Sequence, residues 1–276
     1  MKDKPKNLSQ SSEYQRAREF LDRDQFDGFT DDDLFIMQFV KNGWGQDIAA
    51  LSNMAEALAN ASRSEGIDIA EGQKLLREVV ARALHKKVSP YGKDPSAVEN
   101  FGRYGYYLEH LNIILGCYQS VVDDEYLLLN RRITLHLVKA SLGEENFHAP
   151  LLPNVRMRWS ADQAAIIYSA WLFDQNNGTS LSTHLRDLWL VYMDEHMRDA
   201  NTGLYLTEVM GVKRYSREPR GCALAYLIYY TSHFAPQVAT DQWALFKKHM
   251  FIKRMGITGF REYLPSYKGG WTPDSG

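Results

Sequence analysis

Apolar residues recur at helical spacing along most of this 276-residue chain, and short polar stretches separate the apolar segments. Strand-like alternation is almost absent. The Asn177-Gly178 pair lies between two helical segments, where it predicts a helix–helix turn rather than a hairpin. Ser160 and Gln163 match the capping box that often begins a helix. The spacing predicts helices at residues 32–41, 46–63, 70–84, 103–121, 125–140, 160–173, 183–197, 221–234 and 241–255. The predicted fold class is therefore all-α.

Four of these helices are apolar on every side, which is typical of helices enclosed by protein. They begin near residues 46, 104, 161 and 221, at steps of 58, 57 and 60 residues, and a more amphipathic helix follows each one. The repeat predicts an (α/α) toroid of helical hairpins, with an inner and an outer layer of helices. A linear solenoid is the structural alternative, and it would show closer similarity between the repeats.

The domain organisation follows from the same pattern. The polar residues 1–15 predict a flexible N-terminal arm, and residues 16–276 predict a single (α/α) barrel domain. Four hairpins and the helix at 32–41 leave the ring short of six hairpins, so the toroid is expected either to be incomplete at the C-terminus or to be closed by that helix or by a partner chain. The open flanks of enclosed helices would expose apolar area, which predicts a homo-oligomer.

Composition and charge narrow the class of protein. The chain is 45% hydrophobic and 24% charged, which is enough apolar material for a globular core. Lys and Arg number 32 against 34 Asp and Glu, so the electrostatic footprint of a nucleic-acid binder is missing. No apolar run reaches the ~18 residues of a membrane span, and no signal peptide is visible. We expect no nucleic acid, no membrane span and, by default, a cytoplasmic location, although a removed leader would leave the same pattern.

The cysteines indicate neither a disulfide framework nor a metal site. Only Cys117 and Cys222 are present, they form no CxxC pair, and the chain has no HExxH motif. We therefore expect no metal site.

A ligand site is expected where the inner helices begin. Inner helices of a toroid run parallel, so the loops before them should converge on one rim, and helix N-termini add free N–H groups and partial positive charge. Arginine and aromatic residues recur in these loops, which predicts a site for a polar or anionic small-molecule substrate with aromatic walls. The alternative is that these side chains only pack the loops. The expected substrate-binding residues are Trp44, Tyr104, Tyr107, Trp159, Arg220, Tyr263 and Asp274.

Four side chains are the catalytic candidates. Asp162 lies in the first turn of a helix, where a carboxylate either complements the helix dipole or acts as a general acid or base. His110 is either a hydrogen-bonded core histidine or a proton-transfer group in the cavity wall. Cys222 begins a helix, a position that favours a thiolate but also suits a small buried residue. Glu262 is the fourth candidate, because the loop that carries it should reach the same rim.

Asp162 and Arg220 are expected to lie near each other. Asp162 starts one inner helix, Arg220 immediately precedes the next, and adjacent helices pack ~8–10 Å apart. The two side chains should form an ion pair or share a ligand.

Four motifs resemble a bacterial family. They are Tyr106-Tyr107-Leu108-Glu109-His110-Leu111-Asn112-Ile113-Ile114-Leu115-Gly116, Trp159-Ser160-Ala161-Asp162-Gln163, Pro219-Arg220-Gly221-Cys222-Ala223-Leu224, and Glu262-Tyr263 followed by Asp274-Ser275-Gly276. In this order they are similar to the Y-L-x-H-L-N-L-x-L-G, W-x-A-D-N, P-R-G-S-S-L and R-E-Y-P…D-S-G-P signatures of linalool dehydratase/isomerase-like proteins. Those proteins are (α/α) barrels related in shape to the six-hairpin glycosidases.

The resemblance covers roughly residues 100–276 and implies a cofactor-independent lyase or isomerase with polar residues in a deep cavity. His110, Asp162 and Cys222 stand on motif positions that could carry acid–base work. Gln163 replaces the Asn of the family motif and Cys222 replaces its Ser, and most of the wider group has no assigned activity. Terpene alcohol chemistry therefore does not follow from the resemblance.

Three functions are consistent with the sequence. The first is a lyase or isomerase on a small hydroxylated or unsaturated molecule, with Asp162 and His110 as acid and base. The second is a six-hairpin-type carbohydrate-active enzyme, a glycoside hydrolase or lyase, which needs two carboxylates ~5–10 Å apart. Asp162 with Glu262 or Asp274 is the pair available for it. The third is a non-catalytic binding domain that has kept the toroid.

Overall fold

The computed structural model describes residues 15, 18–19, 46–64, 66–85, 88–89, 104–151, 156–211, 214–215, 218–254 and 256–267. The helix predicted at 32–41, Trp44, Asp274 and nearly all of the predicted arm lie outside these residues.

The described part of the chain is mostly helical, which confirms the all-α class. Its helices are α1 (Gln46–Arg63), α2 (Ile69–Ala83), α3 (Gly105–Val121), α4 (Leu127–Leu142), α5 (Ser160–Asn177), α6 (Thr183–His196), α7 (Gly221–Phe234) and α8 (Pro236–Met250). None of these helices is long and apolar enough to cross a bilayer. Closure of the hairpins into a toroid stays a prediction.

The bounds of the last helix were predicted wrongly. It begins at Pro236 rather than residue 241, since proline is favoured in the first turn, where no backbone N–H is needed. It ends at Met250, so Lys253 and Arg254 do not form the basic last turn that the sequence suggested. They belong instead to an extended segment.

Five short strands were not predicted. β1 (Met157–Trp159), β2 (Glu208–Met210) and β3 (Arg214–Tyr215) form an antiparallel sheet in that order, and β4 (Phe251–Arg254) pairs with β5 (Ile257–Phe260). Trp159 is opposite Glu208 in the register of the sheet. Strands of two to four residues are too short for an alternating pattern to stand out from the sequence around them.

The chain divides into two compact units, residues 1–133 and 134–276, with the boundary inside α4. In the first unit, α1 packs against α2 and α3. The amide of Gln73 donates to the carbonyl of Val121 at 2.9 Å, which joins α2 to the end of α3. The side-chain amide of Asn130 donates to Oδ1 of Asn112 at 2.7 Å and ties the start of α4 to α3. The prediction of one domain over residues 16–276 is not tested by this division.

The second unit is built around α5 and α7, which pack side by side. The rings of Tyr168 and Tyr230, each about two turns into its helix, lie 5.5 Å apart. One turn further along, Trp171 and His233 lie 5.9 Å apart. The two ring pairs follow each other in the same direction along both helices, so α5 and α7 run parallel. Their N-termini are therefore at the same end of this unit, as the sequence predicted for neighbouring inner helices.

A tight turn joins α5 to α6, which confirms the interpretation of Asn177-Gly178 as a helix–helix turn. Gly178 has φ of 63°, a left-handed conformation that glycine adopts at helix C-termini without strain. Buried Asp174 holds the turn. Its Oδ2 accepts hydrogen bonds from the backbone N–H and the hydroxyl of Ser182, and its Oδ1 accepts from the N–H of Leu181 and the hydroxyl of Thr179.

We expect Asp174→Ala to lower the free energy of unfolding by about 2–4 kcal/mol, because it removes a buried carboxylate that accepts from four donors of the turn. Chemical denaturation measures the change. Asp187→Ala, at an exposed position of α6, is the control and should cost less than about 0.5 kcal/mol. Equal, small effects of the two substitutions would show that the Asp174 contacts contribute little.

Candidate functional site

The start of α5 is fixed by backbone pairing rather than by the predicted capping box, which is wrong. Ser160 is already helical, its N–H donates to the carbonyl of Thr207 at 3.0 Å, and its hydroxyl lies 3.3 Å from the carbonyl of Leu206. Gln163 turns away from Ser160. Its Oε1 accepts from the N–H of Ala149 at 2.8 Å, and its amide donates to Oγ of Ser141 at 3.1 Å. The residue that departs from the family motif therefore anchors the segment before β1.

Buried His148 supports the same region. Its Nδ1 lies 2.6 Å from the carbonyl of Asn146, so the proton is on Nδ1, and Nε2 accepts from the indole N–H of Trp189 at 3.3 Å. Nε2 is also 3.3 Å from Oγ of Ser160. Burial lowers the pKa of His148 to about 4. The imidazole is therefore neutral at physiological pH, and its hydrogen bonds position Ser160 at the first turn of α5.

Asp162 lies in that first turn with a different environment. It retains partial solvent contact, and it makes no hydrogen bond or ion pair with any residue that the structure describes. The surrounding protein removes most of the hydration of its carboxylate, and this desolvation raises the pKa of Asp162 from 3.8 to about 7. A helix N-terminus favours the ionised form, so the desolvation outweighs the dipole here. The carboxyl group exists in both protonation states near neutral pH, as a general acid or base requires.

Arg220 stands immediately before α7 and is held by two carboxylates. Its Nε donates to Oε1 of Glu262 at 3.0 Å, and its Nη1 lies 3.5 Å from Oε1 of Glu208 in β2. Its guanidinium also lies 5.5 Å from the centroid of the Tyr263 ring. Since Glu208 is opposite Trp159 in the sheet, these contacts connect the start of α7 to the strand that leads into α5.

Glu262 also caps α7. Its Oε2 accepts from the N–H of Cys222 at 2.8 Å, and its Oε1 lies 3.5 Å from the Cys222 sulfur. A Cβ on Gly221 would lie 2.1 Å from the carbonyl oxygen of Arg261, so only glycine lets the two segments approach this closely. The N–H of Gly221 donates to the backbone carbonyl of Glu262 at 2.8 Å. The Pro219–Leu224 and Glu262-Tyr263 motifs thus pack directly against each other.

The aromatic candidates of the second unit lie beside these groups. Tyr263 stacks on Tyr267, with ring centroids 4.4 Å apart and planes 11° apart, and it also lies against the Arg220 guanidinium. Trp159 is the last residue of β1 and is partly exposed. These positions fit the predicted aromatic wall at the shared end of α5 and α7.

Tyr104, Tyr107 and His110 belong to the first unit. Tyr104 precedes α3 and is partly exposed. The buried hydroxyl of Tyr107 donates to the carbonyl of Ala83 at 2.8 Å, a contact that holds α3 to the end of α2. Burial raises the pKa of Tyr107 above its usual range. The Tyr107 hydroxyl is therefore used in a structural hydrogen bond, which weighs against the predicted role in substrate binding.

His110 is almost fully buried in α3. Its Nε2 lies 3.7 Å from Oε1 of buried Glu109, and its ring meets Tyr106 edge-on at 4.8 Å. Its Nδ1 has no hydrogen-bond partner among the described residues. Burial lowers the pKa of His110 to about 3. So low a pKa makes it a weak base at pH 7, which weighs against the acid–base pairing that the sequence suggested.

The structure thus brings Arg220, Cys222, Glu262 and Tyr263 into contact at the start of α7. The predicted ion pair between Asp162 and Arg220 does not form, since the guanidinium pairs with Glu208 and Glu262. Two carboxylates on one guanidinium also weigh against the expectation that Arg220 binds an anionic substrate. Among the described side chains, no group of three or more His, Cys, Asp or Glu could hold a metal ion.

Sequence reasoning missed Glu208 and His148. Glu208 lies within an alternation of Tyr205, Thr207 and Val209 that ends at Gly211, which is a short strand-and-turn signal. His148 lies between helices with no motif around it, and nothing in its local sequence marks it.

Comparison with protein-family models and with curated proteins found no match to this chain. The family likeness therefore still depends on the four motifs.

Proposed function

We propose that this protein is a cofactor-independent lyase or isomerase that acts on a small hydroxylated or unsaturated molecule, with Asp162 as its proton-transfer group. The observation that carries the proposal is the environment of Asp162. Its carboxyl is desolvated, has a pKa of about 7 and makes no hydrogen bond or ion pair with the described residues, while the residue as a whole keeps partial exposure. Perturbed carboxyl groups of this kind cluster at catalytic sites.

The acid and base steps of a dehydration can both use this one group. Protonated Asp162 gives its proton to a hydroxyl, whose C–O bond breaks, and water leaves. The resulting carboxylate then takes a proton from the neighbouring carbon as the C=C bond forms, so that Asp162 returns to its protonated state. An isomerase moves a double bond with the same two proton transfers, and neither reaction needs a cofactor.

Glu262 has a positioning role in this proposal. It is engaged by Arg220 and by the Cys222 N–H, and these contacts keep the start of α7 and the Tyr263 ring in place. A carbohydrate-active enzyme of the six-hairpin type would need Glu262 or Asp274 as a second working carboxylate, and Asp274 lies outside the described residues. Glu262 is engaged in two hydrogen bonds, which favours the lyase or isomerase over a glycosidase that uses Glu262.

We further propose that the chain is a linalool dehydratase/isomerase-like (α/α) toroid. Two observations support this. The P-R-G-C and E-Y motifs contact each other through Arg220, Gly221 and Glu262, and α5 and α7 are parallel neighbours. Self-association into a homo-oligomer remains part of the same proposal.

Incubation of the full chain in deuterated water with a panel of small secondary, tertiary and allylic alcohols and alkenes tests the proposed activity. NMR detects loss of water, shift of a double bond and deuterium incorporation together. We expect turnover of at least one panel member, reduced at least about 100-fold by Asp162→Asn. Asp187→Asn, on the exposed face of α6, is the matched control and should keep full activity. Turnover that survives Asp162→Asn would overturn the assignment.

A further inference from the structure

The β4–β5 hairpin and the end of α8 carry a surface that the proposed reaction does not use. Exposed apolar side chains are concentrated there, namely Trp243, Phe251, Ile257 and Phe260. Ile257 is 76% exposed at the turn end of the hairpin. We call these four residues and the cations around them the hairpin surface.

The cations of the hairpin surface are Lys247, Lys248, Lys253, Arg254 and Arg261, and all five are exposed. Residues 241–267 contain two acidic side chains, Asp241 and Glu262, and Glu262 is engaged by Arg220. A local excess of positive charge therefore stands on a chain whose formal net charge is −2. Such an excess selects an anionic partner.

The register of the hairpin places apolar and cationic groups together. Phe251 is opposite Phe260, so both rings are on one face, and Arg254 is opposite Ile257 next to the turn. Gly256, with φ of 80°, makes the turn. The Lys247 ammonium lies 5.6 Å from the centroid of the Trp243 ring. Aromatic and aliphatic tips with Lys and Arg beside them are typical of segments that enter a membrane interface.

The ring packing favours lipid over nucleic acid. Phe246 stacks against Phe260 at 4.7 Å and against Trp243 at 5.7 Å, so one face of each exposed ring is already covered. Lys247 lies against the Trp243 ring as well. Bases bind to single-strand binding proteins by stacking on open ring faces. Ile257, the most exposed member, has no ring face at all.

We propose that the hairpin surface binds the anionic interface of a lipid bilayer, with Ile257 at the turn entering the headgroup region and Lys253 and Arg254 contacting lipid phosphates. The protein would then be a peripheral membrane protein, and its substrate could reach it from the bilayer surface. This inference does not depend on the proposed reaction.

Vesicle co-sedimentation of the full chain tests the proposal, with phosphatidylcholine vesicles that contain or lack 30% phosphatidylserine. We expect binding to the anionic vesicles that weakens as salt rises. Lys253→Gln with Arg254→Gln should weaken it about 30-fold, at about one factor of five per charge. Arg131→Gln with Arg132→Gln, on the exposed face of α4, is the charge control and should leave binding unchanged.

Ile257→Ser tests the apolar part and should weaken vesicle binding roughly 10-fold. Leu128→Ser is its matched control, because Leu128 is 79% exposed and belongs to α4, outside the hairpin surface. Absence of vesicle binding by the wild type overturns the proposal. So does tighter binding to a single-stranded oligonucleotide than to the vesicles, or equal effects of Ile257→Ser and Leu128→Ser.

Discussion

Gly221→Ala is expected to destabilise the protein by about 3 kcal/mol or more. The added Cβ would lie 2.1 Å from the carbonyl oxygen of Arg261 and 3.1 Å from Cα of Glu262. Both are backbone atoms, so the segment that carries Glu262 must move away from α7. The hydrogen bonds from Arg220 and from the Cys222 N–H to Glu262 would be lost with it. Thermal or chemical unfolding measures the change.

Gly259→Ala is the matched control for this substitution. Gly259 lies two residues before Arg261, and a Cβ there meets no atom within 4 Å. Its free energy of unfolding should stay within about 0.5 kcal/mol of the wild type. A Gly221→Ala protein as stable as the Gly259→Ala protein would contradict the close contact between the two motifs.

Asp162→Asn is expected to stabilise the protein, and the gain should grow by about 2 kcal/mol between pH 5 and pH 8. The carboxyl ionises at pH 3.8 in its unperturbed state and at about 7 in the folded protein. Between these values the folded state retains a proton that the unfolded chain releases. The stability of the wild type therefore falls as pH rises towards 7 and levels off above it. Asparagine cannot ionise, so its protein does not share this loss.

Denaturation curves at pH 5, 6, 7 and 8 measure this difference. Asp187→Asn is again the control, and its effect should stay below about 0.5 kcal/mol at each pH. A constant offset between Asp162→Asn and the wild type would mean that Asp162 ionises alike in both states. Loss of stability at every pH would make it a helix cap. A loss of activity in an Asp162→Asn protein that is as stable as the wild type, or more stable, does not come from unfolding.

The helices could be predicted from the sequence because each depends on its own spacing of apolar residues. The predicted bounds of α1 and α7 agree with the structure at both ends. The start of α8 was missed although Pro236 marks it in the sequence. Its end was missed because Phe251 and Ile252 pair with a strand further along the chain. A pairing partner of this kind is a tertiary feature, and local periodicity cannot reveal it.

The candidate site was predicted only in part, because local sequence does not show tertiary contacts. Motif position identified Arg220 and Glu262, and a shared rim implied that they could meet. The ion pair between Arg220 and Glu208 could not be predicted, because the strand pairing that positions Glu208 has only a weak signal in the sequence. The raised pKa of Asp162 could not be predicted either. A carboxylate in a first helical turn is usually solvated, and only the packed structure shows its desolvation.

A carboxyl titration of Asp162 tests the central claim most directly. The full chain is labelled with ¹³C at the aspartate carboxyl carbons, and its NMR spectrum is followed from pH 4 to pH 9, with the Asp162→Asn spectrum identifying the resonance. We predict a midpoint of about 7. A midpoint near 3.8 would show a solvated carboxylate, and Asp162 would then not be the proton-transfer group.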